Sequence, residues 1–173
     1  EQALIRPLAK RYPVSDPGVV TPIWNDDYAA AMREVYGAHK DDLDITALFA
    51  EAIMNRTPWQ LWDIKTGKPA AGADTAEAIA VLERAMRTDA GMRHPGVLHM
   101  YLHLMEMSPH PKRALRAGDA LKDLVPDAGH LIHMPTHIDV LCGHYKDVIE
   151  RNAEATVADQ KYLAREGAIN FYT

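Results

Sequence analysis

The chain has a single cysteine, Cys142, among 173 residues. An internal disulfide is excluded, and so is a zinc site built on several thiolates. Long apolar runs are also missing, since none approaches the roughly 20 residues of a membrane span. The start, EQALIRPLAKRYP, has no signal-peptide hydrophobic stretch. A cytoplasmic location is therefore the expectation. The chain also begins without Met and stops on INFYT in the middle of a pattern, so a fragment of a longer protein is expected. No basic block is present, and the formal net charge is −5, which sets nucleic acid aside as a partner. The nucleophile-elbow G-x-S-x-G, the P-loop, the dinucleotide fingerprint and the HExxH zincin pattern are all absent. Any catalysis would have to be centred on a metal.

Apolar residues make up 47% of the chain, enough for a core, and they recur at helical spacing. After a proline-punctuated start, helices are expected over 25–40, 44–56, 74–89, 94–108, 111–125, 128–142 and 145–166. Asp74 and Glu77 have the spacing of a capping box. A long Pro/Gly loop with Trp59 and Trp62 fills 57–74. Most of the joins are short, as between antiparallel neighbouring helices. No segment alternates cleanly enough for a strand, so the fold class is all-α.

A shift of 34 residues superposes His99 on His133, Met100 on Met134, His103 on His137, His110 on His144 and Lys112 on Lys146. Three coincident pairs from nine histidines exceed chance. That shift is also the length of the tetratricopeptide (TPR) repeat. The reading is a helical-hairpin solenoid. Residues 1–43 form a connector and helix, and 44–173 form a degenerate array of about 44–93, 94–127 and 128–163. The match is imperfect. Tyr101-Leu102 and Pro135-Thr136 replace the usual Leu-Gly, and Gly118 and Asn152 replace the aromatic of the second helix.

The stretches HPGVLHMYLHLMEMSPHPKRAL, LVPDAGHLIHMPTHIDVLCGHY and LFAEAIMNRTPWQLWD resemble an uncharacterised family of bacterial and fungal TPR-containing proteins. The resemblance covers nearly the whole chain. It implies the solenoid fold and a longer protein, and it implies no chemistry.

His99-x-x-x-His103 and His133-x-x-x-His137 each place two imidazoles on one face of a helix, about 6 Å apart at Cβ. In a TPR array the first helices of successive repeats line a concave groove, with axes about 8–10 Å apart. His99 and His133 should then be neighbours, and likewise His103 and His137, with His130 on the same side. Aligning LFAEAIM adds Glu51 to the rung of His103 and His137, and Glu106 falls one turn after His103. Such a set suits a transition metal such as zinc, copper or iron, and suits calcium or magnesium poorly. Glu51 and Glu106 are the candidate general bases if they are not ligands.

Plainer roles stand beside these. His110 and His144 fit inter-helix turns, His94 a helix start, and His39 a helix end. Met100, Met105, Met107 and Met134 fit core packing, as does Cys142. Trp59 and Trp62 either pin the long loop or wall a pocket. Pro135 must delay or kink its helix. Two functions remain open. One is a metal-binding repeat protein, with a metal-dependent enzyme as its stronger form. The other is a metal-free interaction scaffold taking a peptide, with a small molecule as a further possible occupant of the groove. Oligomeric state is open.

Overall fold

The computed structural model describes residues 2–14 and 23–167, and these are mostly helical. The expected segments form helices, with revised ends. They are α1 (Gln2–Arg11), α2 (Ile23–Ala38), α3 (Leu43–Met54), α4 (Thr75–Met86), α5 (Pro95–Glu106), α6 (Leu115–Lys122), α7 (Gly129–His133), α8 (Pro135–Cys142) and α9 (Tyr145–Glu166).

Several of the differences from expectation have local causes. α1 continues through Pro7, the sixth of its ten residues, whose ring is buried; the proline costs one backbone bond and finds apolar contact. The capping box at α4 does not form, and Asp74 makes no side-chain cap bond. Its Oδ2 instead takes Arg56 at 2.5 Å and Arg33 at 3.4 Å, while Glu77 takes Arg33 at 2.7 Å. Two guanidiniums compete better for these carboxylates than a backbone N–H does. Asp42 is the real cap of α3, accepting from Ile45 N at 3.0 Å. The 57–74 loop contains strands after all. β1 (Trp62–Asp63) pairs antiparallel with β2 (Lys68–Pro69). Trp62 pins this hairpin to α5 by donating Nε1–H to Leu104 O at 2.7 Å.

Helices pack in sequence order and also skip along the chain. α1 lies on α2, α2 on α3, and α3 on both α4 and α5. α5 touches α6 and α8, and α7 and α8 both lie on α9. One core runs from α2 to α8 through Met32, Phe49, Ile53, Leu82, Leu98, Tyr101, Leu102, Leu121, Met134 and Ile138. Full burial of a leucine such as Leu98 or Leu102 contributes about 1.5–3 kcal/mol. A smaller cluster, Ile132 with Ala155 and Ala158, joins α7 to α9. Among the described residues no helix is long and apolar enough to cross a membrane.

The helix expected over 128–142 is two helices. α7 ends at His133, and Pro135 is the first residue of α8. Proline tolerates that position because its missing N–H would be unpaired there anyway. Met134 between them keeps right-handed helical angles, φ −51° and ψ −40°, so the chain steps without turning back. Gly118 makes this step possible. A Cβ on Gly118 would stand 3.1 Å from the Cβ of Pro135. The residue that stands in α6 where an aromatic was expected is the one that admits the proline of α8.

Candidate metal centre

α5 divides its residues by face. Val97, Leu98, Tyr101, Leu102, Leu104 and Met105 are buried. His99, His103 and Glu106, at three- and four-residue spacing, share the half-exposed stripe. His94 starts the helix as expected, its Nδ1 accepting from Val97 N at 3.2 Å and its Nε2 lying 3.1 Å from Asp44. His130 comes from α7, which reaches the site because Gly129 lets it press on α9; a Cβ there would sit 3.0 Å from Ala155 O.

Three Nε2 atoms converge. His99 Nε2 is 3.0 Å from that of His103 and 3.1 Å from that of His130. Ligand atoms of the three residues all lie within 4.8 Å of one another, and the group could hold a metal ion. Zinc–imidazole bonds of about 2.0–2.1 Å at tetrahedral angles place ligand nitrogens about 3.3 Å apart. The imidazoles are therefore near the spacing that a shared ion would set.

The electrostatics favour neutral rings. Burial, then the charges of His103 and His130, push His99 down to about 3. Burial also lowers His103 against the opposing pull of Glu106. His130 is lowered by burial and by His133 and His137. Neutral imidazole is the form that ligates.

The expected four-imidazole groove is divided. The neighbour of His99 is His130, where the 34-residue register places His133. His133 and His137 make their own contact, Nε2 to Nε2 at 2.9 Å. His133 and His137 stay one turn apart across Met134, which keeps helical angles, so the pairing of His99 with His130 is a shift of about one turn that the 34-residue register does not give. Glu106 links the two sets. Its Oε1 is 2.8 Å from His137 Nδ1, and its Oε2 is 3.9 Å from His103 Nδ1.

Glu51 stands outside the three-histidine group. Asn55 donates to its Oε1, and Arg11 lies 3.6 Å away. Glu51 does face His103 and Glu106 across a cavity of about 230 Å³, whose other walls include Met54, Trp59, Leu61 and Met100. Trp59 is 78% exposed, holds a left-handed φ of 63°, and presents its ring edge-on to His103 at 6.3 Å. Trp62 thus pins the loop while Trp59 walls the pocket.

Asn152 is a site residue that pattern matching missed, since it registered only as a lost aromatic. Its Oδ1 lies 2.7 Å from His133 Nδ1. A second group that could hold an ion, Asp139, His144 and Asp147, was also missed. Asp139 is 2% exposed, and Arg151 Nε lies 3.0 Å from its Oδ2 without the alignment of a hydrogen bond. Burial raises the Asp139 pKa and Arg151 opposes it. This carboxylate already has its counter-ion, and the pair ties α8 to α9. Cys142 is half-buried against the core.

No protein-family model, curated protein or solved structure matches the chain.

Proposed function

We propose that this protein binds a transition-metal ion through the Nε2 atoms of His99, His103 and His130. The observation that supports it is the convergence of those three atoms, from two helices, in a partly buried and neutral state. An all-nitrogen donor set suits zinc, copper or iron. Three protein ligands leave a coordination position for water or a substrate. The cavity beside His103 gives that position an apolar neighbour of a size to take a small organic molecule. In an enzyme of this design the ion supplies Lewis-acid or redox chemistry. Glu51, which faces His103 across that cavity, and Glu106 are then the candidate bases.

The test is metal content by inductively coupled plasma mass spectrometry on untagged protein never exposed to nickel resin. Near-stoichiometric zinc, copper or iron, lost in the His99→Ala/His103→Ala variant, supports the reading. Background metal and no uptake on titration sink it.

The second reading is a TPR-like interaction scaffold. It is favoured by the packing of α3 on α5 and α5 on α8, the pattern of first helices in successive repeats. Tyr145 and Ile149, one turn apart on α9, are also exposed, as are Val140 and Leu141 on α8. Peptide capture unaffected by a chelator would separate this reading from the first.

A further inference from the structure

His133 and His137 face each other with Nε2 atoms 2.9 Å apart. What each ring carries at that contact is decided on its other side. His137 Nδ1 is 2.8 Å from Glu106 Oε1. A carboxylate accepts and has no hydrogen to give, so this Nδ1 bears the hydrogen. His133 Nδ1 is 2.7 Å from Asn152 Oδ1. The Asn152 amide is oriented independently, because its Nδ2 donates to Val148 O at 2.9 Å. Its oxygen therefore faces the ring, and His133 Nδ1 also bears the hydrogen. A neutral imidazole has one N–H. Both rings donate theirs outward, and two Nε2 lone pairs are left pointing at each other. Lone pairs do not approach to 2.9 Å unless positive charge lies between or against them.

We infer that His133 and His137 hold a second transition-metal ion of their own, so that the groove is a two-ion site. The inference deepens the metal reading above and rests on it for the neighbouring ion alone. The anchoring is the one that ligating histidines show generally. One ring nitrogen binds the metal while the other donates to a carboxylate or amide oxygen, which fixes tautomer and orientation. Glu106 and Asn152 are positioning residues here. The two ions share surroundings: the rings of His130 and His133 are 6.4 Å apart at their centroids, and Glu106 lies between His103 and His137. A cavity of about 590 Å³, lined by His130, His133, Asn152 and Asp159, opens the His133 side of the pair to solvent along α9. Two imidazoles select a nitrogen-preferring divalent ion and leave its remaining positions to water or to an oxygen ligand.

The test is a Co²⁺ titration of the metal-stripped chain, read by calorimetry and visible absorption, with circular dichroism confirming that each variant folds. Two ions per chain are expected in the wild type. One is expected in His133→Ala/His137→Ala and one in His99→Ala/His103→Ala. Glu106→Gln, which keeps an accepting oxygen, should retain the second ion, and Glu106→Leu should weaken it about 10–100-fold. A single ion that survives in His133→Ala/His137→Ala overturns this inference and leaves the three-histidine reading standing. A single ion that survives only in His99→Ala/His103→Ala does the reverse. One ion lost in both variants means a single shared site and overturns the inference. So does a proton between His133 and His137 that persists, as a far-downfield imidazole resonance, in excess Co²⁺ or Zn²⁺. No ion at all overturns both readings.

Discussion

The two sets of histidines differ in what holds them. His99, His103 and His130 are arranged mainly by the helices that carry them, two on the rigid α5 and one on α7. Burial lowers all three. His133 and His137 straddle a helix break and are aimed instead by hydrogen bonds, one to Asn152 and one to Glu106. One set is organised by packing and the other by polar anchors. Substitutions should therefore act differently on the two.

The largest effect should come from the packed set. His99→Ala or His103→Ala should abolish binding at the three-histidine site while leaving the pair, measured as residual Co²⁺ stoichiometry. The next is aimed at the anchors. Asn152→Leu should weaken the pair about 10–100-fold and leave the three-histidine affinity unchanged; equal weakening of both would erase the distinction. Third comes the backbone step. Gly118→Val drives a side chain into Pro135 and should cost about 1–3 kcal/mol in urea denaturation. It should also disturb the pair more than the three-histidine set, since it moves α8.

A pH effect bears on the packed set. Folding lowers the His99 pKa from its usual value of 6.5 to about 3. Below pH 6.5 the unfolded chain takes up a proton that the folded one refuses. The contribution of neutral His99 is thus complete above that pH and is lost as pH falls towards 3. Metal-free protein should melt at progressively lower temperature across this window, and His99→Gln should flatten the slope. The smallest effect is at Trp59. Because it is mostly exposed, Trp59→Ala should shift stability by no more than about 0.5 kcal/mol, while removing an emitter beside His103 whose fluorescence a bound ion would quench.

The difference between the two sets also explains what the sequence made legible. The i, i+4 spacing of His99 and His103 on a well-patterned helix announced their shared face, and the structure keeps it. His130 was placed on the right side, yet its partnership with His99 lies about one turn off the 34-residue register, ahead of the Met134 step. Pro135 flagged that step without giving its outcome. Glu106 was readable from helical periodicity. Asn152 was not, because its role lies in a contact with His133 across two helices that no local pattern encodes. The helices themselves were legible from apolar spacing. The capping box failed because the arginines that claim Asp74 and Glu77 come from α2 and the end of α3. The small β-hairpin escaped because two-residue strands are too short to alternate.

The brevity of α7 has a further consequence. Its five residues carry His130 and His133, one from each set, and a helix of that length does not persist unaided in water. Its packing on α9, its smaller contacts with α6 and α8, and any ions it binds would hold it closed. Release of either ion would then wait on the opening of α7. A competing chelator should strip the protein at a rate that stops rising with chelator concentration, and the plateau would be the opening rate of that single turn.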